Sequence, residues 1–473
     1  MSGPMRRSLV SYAALLVVFA ALVAWILHLG TRDFPQAATI APSAPLVAFG
    51  FSSPLAQVLL QILVIVLLAR GAGVLFTKIG QPAVIGEMAV GIALGPSAFG
   101  ALAPGIQKAL FPASSMGTLS MLSQVGIVLF MFAVGMELDL KLLKKKADSA
   151  ILISHMSIVV PFLLGTASAL WLYRDFGSGK PFVPFALFMG ISMSITAFPV
   201  LARIIQERGL SGTLLGNTAI TCAAVDDATA WCGLALIVAI AESQGIMSAV
   251  LTVGLTGLFF TAAVFLIRPA LRRMAERLPD VSHPGKGVSV VILATIFGCA
   301  LVTEAIGIHA LFGAFVAGIA MPKREEFRQF FRERLEYLSS LFLLPIFFAF
   351  TGLRTQIGLL TTLHDWMICF ALLALAVVGK FGGSFLASRW TGLTWRDSLA
   401  MGALMNTRGL VELIALNLGL DLGLLTPKVF AMLVLMALIT TFSTGPIISL
   451  LGFGIPRTRQ AAGTTSERPG DAY

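Results

Sequence analysis

The stretch T-C-A-A-V-D-D-A-T-A-W, from Thr221 to Trp231, places two adjacent carboxylates, Asp226 and Asp227, inside a long apolar run. The run extends from about 214 to 241, and a helix of roughly 20 residues crosses the ~30 Å hydrocarbon core of a bilayer. One ionised side chain near the bilayer centre costs at least about 2.5–3.5 kcal/mol. Neither packing nor folding requires two in succession. The pair therefore indicates an ion or proton site in a transport pathway, with a structural ion pair between helices as the alternative.

The composition of the chain is that of a helical membrane protein. Of its 473 residues, 57% are hydrophobic and 12% are charged, whereas a soluble chain carries about 25% charged residues. The net charge of +10 does not predict a nucleic-acid partner, because the basic residues lie in short loops, as the positive-inside rule requires. The four cysteines lie in apolar runs without metal-ligand spacing, and we find no phosphate-loop, zinc-peptidase or serine-hydrolase motif. We therefore expect neither an enzyme nor a bound cofactor.

Apolar segments account for most of the chain. Arg6 and Arg7 precede an apolar stretch from 8 to 29, which we interpret as a retained N-terminal helix rather than a cleaved signal peptide. A linker rich in proline, alanine and serine follows up to residue 53. Thirteen further spans are predicted at 54–76, 82–100, 118–137, 149–173, 182–205, 212–242, 247–270, 287–304, 308–321, 338–353, 364–388, 397–419 and 426–452.

The distribution of lysine and arginine predicts the orientation of these spans. With Arg6 and Arg7 in the cytoplasm, about 24 basic residues fall on the cytoplasmic side and about six on the other side. The basic residues expected outside are Arg32, Lys108, Arg174, Lys180, Arg354 and Lys428. We therefore expect an integral protein of the bacterial inner membrane, surrounded by lipid, with its C-terminus in the cytoplasm.

The spans divide into two sets of six joined by one helix, which places the two halves in opposite orientations as inverted repeats. The fifth span of each half is interrupted. The first interruption is S-I-T-A-F-P-V-L-A-R, with Pro199, and the second is G-A-L-M-N-T-R-G-L-V-E-L, with Asn406, Thr407, Arg408 and Gly409. These residue types favour local unwinding, which a membrane tolerates only beside a protein-lined cavity. Paired breaks in corresponding spans indicate a transporter site at the membrane midplane.

Lys380 is a natural partner for one of the two aspartates. Successive helix residues point about 100° apart, so one carboxylate can face an aqueous cavity while the other faces a neighbouring helix. Lys380 lies deep in the fourth span of the second half and can pair with the helix-facing carboxylate. A carboxylate that holds either a proton or a monovalent cation exchanges one for the other, and linkage makes this competition reciprocal.

Three glutamates are weaker candidates. Glu412 lies one helical turn after Arg408, so an intrahelical ion pair is an equally good interpretation. Glu304 lies near the outer end of its span, where solvation explains it. Glu87 lies deeper in its span, and we assign it no role from the residues alone.

Four motifs resemble those of the monovalent cation:proton antiporter superfamily, most closely its plant CHX-type and fungal potassium/proton branch. They are Q-P-x-V-I-x-E…L-G-P-S-A-F-G from Gln81, A-V-D-D-A-T-A-W-C from Ala224, T-E-A-I-G-I-H-A-L-F-G-A-F from Thr303 and N-T-R-G-L-V-E-L from Asn406. The resemblance covers residues 54–452. It implies an all-α polytopic antiporter fold of 13 helices, arranged 6+1+6, with two crossed unwound helices in addition to the N-terminal helix.

The resemblance also implies an elevator-type homodimer. A scaffold or dimerisation domain would comprise 54–138 and 286–355, a linking helix 247–272, and a moving core 149–243 and 362–453. Residues 1–53 would form the N-terminal helix and linker, and 454–473 a short cytoplasmic tail. No nucleotide-binding regulatory domain is expected in this tail.

Site residues follow from the same resemblance. Asp227 would be the main cation and proton carboxylate, with Asp226 as the partner of Lys380. The break residues Thr196 and Ala197 would add ligands, so that the set around the transported Na⁺ or K⁺ is Asp227, Asp226 and Thr196. Supporting roles fall to Asn406, Thr407, Arg408, Glu412 and Glu87, although lysine often replaces arginine at the position of Arg408 in this branch.

Other functions are compatible with parts of the same pattern. A channel-like or sensory protein could use the same scaffold, and a bile-acid-type sodium symporter would need no buried lysine. An intramembrane aspartyl protease also buries two aspartates, but it needs them on two helices that face each other, whereas Asp226 and Asp227 are adjacent on one. Carboxylates and carbonyls serve sodium and potassium alike, so the choice between the two ions stays open.

Overall fold

A computed structural model describes Trp25 and residues 54–137, 147–177, 179, 181–210, 213–242, 246–278 and 284–453. Every regular element in these ranges is helical. The predicted N-terminal helix and linker (apart from Trp25), the basic cluster between 141 and 146, and the tail after 453 lie outside the described residues.

Eighteen helices, numbered here in chain order, form the frame of the described part. They are α1 Pro54–Lys78, α2 Ala83–Leu94, α3 Ala113–Glu137, α4 Ala147–Phe176, α5 Phe182–Ser194, α6 Phe198–Glu207, α7 Leu214–Glu242, α8 Ile246–Ala262, α9 Arg268–Glu276, α10 Lys286–Ile306, α11 Ala310–Ala320, α12 Glu325–Leu338, α13 Leu344–Arg354, α14 Leu363–Val377, α15 Gly383–Trp390, α16 Trp395–Met405, α17 Leu410–Asp421 and α18 Pro427–Leu450. Two short helices, Phe99–Leu102 and Pro104–Leu110, connect α2 to α3. A π-helical turn, Val378–Gly382, joins α14 to α15 into one span and contains Lys380.

The predicted membrane spans are confirmed. Ten helical segments in the described residues are long and apolar enough to cross a bilayer, and the bent pair α16–α17 makes eleven. The two remaining predicted spans correspond to short apolar helices, α5 with its continuation α6, and α11. Predicted and observed limits differ by at most a few residues for most spans, because the apolar pattern sets the spans while local turns set their ends.

Both predicted interruptions are present. The first spans residues 195–197, between α5 and α6, and the second spans residues 406–409, between α16 and α17. Pro199 lies in the first turn of α6, after the break, rather than within it. A proline is accommodated at this position because its missing N–H would have no intrahelical acceptor there. The two helices on either side of the second break are bent by 40°.

The helices pack in two groups. The first bundle contains α1–α3 and α10–α13, with α8 against α10, and the second bundle contains α4–α7 and α14–α18. Aromatic side chains fill the middle of the junction between them: the Trp231 ring of α7 lies 5.8 Å from the Phe312 ring and 6.1 Å from the Phe315 ring of α11. The centre of the junction is therefore apolar and closely packed.

Loop contacts agree with the alternation of the spans across the membrane. On one side, here the Arg354 face, Lys428 pairs with Asp365, and His364 contacts Asp175. On the opposite face, the Arg396 guanidinium donates to the carbonyl of Leu451. Residues that the charge distribution assigns to one side of the membrane thus meet one another in space.

Candidate functional site

The two breaks cross each other in the middle of the second bundle. The backbone N–H of Ala197 donates to the carbonyl of Thr407 at 3.0 Å, which joins the two unwound segments. Thr196 Oγ1 lies 3.4 Å from the carbonyl of Met405, the last residue of α16. Each break leaves one helix C-terminus and one helix N-terminus inside the protein, and these ends carry opposite partial charges.

Asp226, on α7, is fully buried beside this crossing, and its carboxylate accepts three hydroxyl hydrogen bonds. Ser154 and Ser157 of α4 each donate at 2.5 Å, to Oδ1 and Oδ2 respectively. Thr196 of the first break donates to Oδ2 at 2.7 Å. These hydroxyls give the oxygens of the buried carboxyl group the partners that burial would otherwise deny them.

Lys380 is fully buried and reaches the same carboxylate from the π-helical turn. Its Nζ lies 3.4 Å from Asp226 Oδ2 and also donates to the carbonyls of Ser157, at 3.1 Å, and of Ser194. Ser194 ends α5, so the ammonium group lies at the partially negative C-terminus of that helix. The predicted pairing of Lys380 with Asp226 is therefore present in the geometry, with two carbonyls as additional acceptors.

Asp227 lies on the side of α7 that faces the first bundle. Trp231, one helical turn further on, shares that side because residues four apart are neighbours on a helix, and it packs on two rings of α11. The Asp227 side chain is 2% exposed. An open aqueous cavity is expected at one of the aspartates, but within the described residues none reaches Asp227 in this conformation.

Arg408 forms a second buried cationic centre at the crossing. Its guanidinium donates to the carbonyls of Ser192 at 3.0 Å and Met193 at 2.7 Å, near the end of α5. It also donates to Glu412 Oε1 at 2.8 Å, and both side chains are completely buried. The intrahelical pair considered from the spacing is thus present, and the same arginine also binds backbone that the break exposes.

Hydroxyl groups of α18 hold the second break in place. Thr441 Oγ1 accepts from the backbone N–H of Arg408 at 3.1 Å and lies 2.6 Å from the carbonyl of the same residue. Thr407 Oγ1 lies 3.3 Å from Thr444 Oγ1. Asn406 is 3% exposed, and its Oδ1 accepts no hydrogen bond from the described residues.

Glu87 and Glu304 lie apart from the crossing. An added Cβ at Gly73 of α1 would lie 3.4 Å from Glu87 Oε1, so this carboxylate contacts α1 inside the first bundle. Glu304 Oε2 accepts from the backbone N–H of Ala310 at 2.7 Å, at the first turn of α11. These contacts support a structural role for Glu304 and do not join Glu87 to the aspartates.

The sequence reasoning missed the hydroxyl donors Ser154, Ser157, Thr441 and Thr444. A signal for the first two exists, because they lie three residues apart on α4 and so share one helix face. Serine and threonine in apolar helices usually bond to their own helix backbone, and for that reason their presence alone did not distinguish them.

The groups at the crossing include the kinds of oxygen atom that a cation site needs. Carboxylate, hydroxyl and carbonyl oxygens are the ligands that hard cations prefer. Asp226 and Asp227 are the carboxylates of this region, the breaks expose carbonyls, and the Thr196 hydroxyl lies beside Asp226. Lys380 and Arg408 place two basic side chains at the end of α5.

Comparison with known proteins reveals extensive similarity. Residues 62–454 match the family described as sodium/hydrogen exchanger, transmembrane. The chain is 41% identical over 399 residues to the Na(+)/H(+) antiporter NhaS4 of Synechocystis sp., covering 84% of this chain and 97% of the relative. It is 39% identical to cation/H(+) antiporter 17 of Arabidopsis thaliana, covering 82% of this chain and 48% of the relative. The K(+)/H(+) antiporter 1 of Saccharomyces cerevisiae is 34% identical, with 85% of this chain and 47% of the relative covered.

The chain therefore spans nearly the whole cyanobacterial relative and about half the length of the plant and yeast relatives. A solved structure, that of the sodium proton antiporter MjNhaP1 from Methanocaldococcus jannaschii, superposes with a TM-score of 0.61. It covers 85% of this chain and 98% of the other at 12% identity. This likeness establishes the fold, including the predicted antiporter architecture.

Proposed function

Because the chain belongs to the transmembrane sodium/hydrogen exchanger family and is an integral membrane cation/proton antiporter, we propose that it exchanges Na⁺ or K⁺ for protons at Asp227 by an elevator movement of the second bundle. Its relatives are transporters rather than enzymes, and the family indicates no cofactor. The carried species are the monovalent cation and the proton.

The arrangement around the two aspartates is the observation that carries the proposal. Asp226 is held by three hydroxyls and Lys380, while Asp227 lies one residue away at the junction of the bundles. A deprotonated Asp227 attracts a cation, whereas a protonated Asp227 is neutral and does not. Only one of the two ligands can occupy the carboxylate, so uptake of either releases the other.

The elevator movement is supported by the way in which the helices group. The crossing, both broken spans and the helix bearing the aspartates all belong to the second bundle. The junction with the first bundle is apolar at its centre, through Trp231 and the two phenylalanines of α11. Such a surface can slide without leaving hydrogen bonds unmade, and a moving site satisfies alternating access. In this scheme the first bundle is the scaffold, and lipid surrounds both.

We further propose that the chain is a homodimer in a bacterial inner membrane with the Arg354 face outside. The basic bias of the loops supports this orientation, and the exposed apolar side chains of α1 and α10 offer the scaffold surface for a second copy. Cysteine introduced at Lys145 or Lys180 and labelled with an impermeant reagent tests the orientation. Labelling of position 145 from outside intact cells would overturn it.

Purified protein in liposomes with a trapped pH dye tests the exchange itself. Addition of Na⁺, K⁺ or Li⁺ should release protons from the lumen of acid-loaded liposomes, and the relative rates identify the transported ion. A channel would dissipate a cation gradient without stoichiometric proton movement. A sensor would move neither species, so either outcome would refute the proposal.

A further inference from the structure

We propose that Arg354, together with Asn417 and Asp421, forms a latch that closes the Arg354 face between the two bundles and must open before an ion can reach Asp227 from that side. The inference rests on the proposed movement of the second bundle. Arg354 ends α13 of the first bundle, and Asn417 and Asp421 lie on α17 of the second.

The contacts of the latch join the two bundles directly. Arg354 Nη2 lies 2.5 Å from Asp421 Oδ1, and Nη1 donates to Asn417 Oδ1 at 3.2 Å. Asn417 Nδ2 in turn donates to Thr351 Oγ1, one turn before Arg354, at 2.8 Å. A guanidinium that binds two oxygens at once has a fixed geometry, so these bonds specify one relative position of α13 and α17.

Helix dipoles add to this contact. Both α13 and α17 end at the latch, so two partially negative C-termini approach each other there. The positive charge of Arg354, which bonds to the side chains of Asn417 and Asp421, offsets this repulsion, and its guanidinium centre lies 5.3 Å from the Phe350 ring. Without the arginine the two ends would repel each other.

The loop after Arg354 is anchored within the first bundle. Ser97 Oγ accepts from the backbone N–H of Ile357 at 2.8 Å and donates to the carbonyl of Thr355 at 3.2 Å. These bonds fix the position of the loop that follows Arg354 relative to the first bundle. On the opposite face the two bundles meet through a neutral hydrogen bond from Gln81 Nε2 to the carbonyl of Phe442, at 3.3 Å.

A small pocket, lined by polar and apolar side chains alike, lies at the latch between the two bundles. Ser120 and Ser123 of α3, His309 before α11, and Asn417 and Asp421 line this pocket together with Arg354. Ile127, Phe347 and Ile414 also line it, as apolar side chains. Separation of α13 from α17 would open this pocket to solvent on the Arg354 face. Ser123 is 2% exposed, so the accessibility of this position measures whether the pocket is closed.

Labelling of Ser123→Cys with a membrane-impermeant maleimide tests the latch in the full chain. The four native cysteines are replaced by alanine, and detergent-solubilised protein is used so that both faces meet the reagent. We expect Asp421→Asn and Arg354→Gln to accelerate labelling about tenfold, because removal of the pair shifts the closed-to-open equilibrium.

Two further variants complete the design. Lys428→Gln removes a comparable charge pair on the same face, with Asp365, but within the second bundle, and it should leave the labelling rate unchanged. The charge swap Arg354→Asp with Asp421→Arg should restore slow labelling. Elution of each variant at the wild-type volume in size-exclusion chromatography confirms that it is folded. Equal labelling rates in wild type, Asp421→Asn and Arg354→Gln would overturn the latch.

The result is separable from that of the transport proposal, since labelling requires no ion exchange. Accelerated labelling in Asp421→Asn with no exchange by wild-type liposomes would refute antiport and leave the latch standing. Exchange by the wild type with no change of labelling in the variants would refute the latch alone.

Discussion

Two buried cations bind the end of the same helix, α5, and their surroundings differ in one instructive respect. Arg408 pairs with Glu412, four residues along its own chain, so the two charges stay together in any movement of the bundle. Lys380 pairs with Asp226 on another helix, beside a second carboxylate and three hydroxyl donors. A guanidinium keeps its proton in proteins, whereas a lysine ammonium can release one. We therefore predict that Arg408 is a permanent brace for the break and that Lys380 belongs to an exchangeable charge network.

The largest expected effect separates the carboxylates of the two centres. Asp227→Asn should reduce cation/proton exchange to the rate of protein-free liposomes, because an amide neither titrates nor balances a cation. Glu412→Gln, the matched change beside Arg408, should retain measurable exchange. The dye assay in liposomes measures both. Near-wild-type exchange by folded Asp227→Asn protein would contradict the assignment of the site.

The next effect concerns stability. Arg408→Gln should destabilise the protein by about 3–5 kcal/mol, because it leaves a buried carboxylate and two helix-end carbonyls without their donor. Lys380→Gln should cost less, since three hydroxyls still bind Asp226. The midpoint of thermal aggregation in detergent compares the two variants, and pairing Arg408→Gln with Glu412→Gln should recover part of the loss. The reverse order of midpoints would refute the distinction between brace and network.

Charge movement tests whether Lys380 takes part in exchange. If a cation at Asp227 weakens the Lys380–Asp226 pair, lysine releases its proton as well, and two protons leave for each cation bound. The cycle then moves net charge, worth about 2.3 kcal/mol per 100 mV for each charge that crosses. We expect a transient current from wild-type proteoliposomes on a solid-supported membrane, and none from Lys380→Gln. Active wild-type protein without a current would make the exchange one-for-one and Lys380 a structural tether.

The smallest effect tests the hydroxyls around Asp226. Ser154→Ala removes one hydrogen bond to a buried carboxylate and should cost about 1.5–3 kcal/mol. Ser168→Ala on the same helix removes only a bond to its own backbone, at the carbonyl of Gly165, and should be nearly neutral. The thermal midpoints of the two variants provide the comparison. Equal midpoints would show that Asp226 does not depend on this donor.

The spans and both breaks could be predicted from sequence because they depend on local properties, namely apolar length and helix-breaking residues. The association of Lys380 with Asp226 could also be anticipated, since a buried charge needs a partner. The hydrogen bonds from Arg408 to the carbonyls of Ser192 and Met193 could not be predicted from the sequence. It requires the crossing of two segments that are about 215 residues apart in the chain, and no local pattern encodes this approach.

Two further features, access to Asp227 and the contacts of Arg354, could not be predicted from the sequence. Two adjacent aspartates predict that one faces a helix and the other a cavity, but not whether that cavity is open, because access depends on the relative position of two bundles. Likewise the sequence identifies Arg354 only as one basic residue on the outer side, because its bonds to α17 depend on how the bundles meet. In both cases the sequence predicts the chemistry of the residue but not the relative position of the two bundles in this conformation.

The π-helical turn at Lys380 has a consequence for comparing sequences. A π turn closes its hydrogen bonds over one more residue than an α turn, so it occupies the place in a helix that one inserted residue would take. A relative with a regular α-helix here should align with a one-residue gap between 378 and 382. An ungapped alignment through this turn would match Lys380 to the neighbour of its true counterpart. The lysine would then be scored as absent from relatives that still carry it.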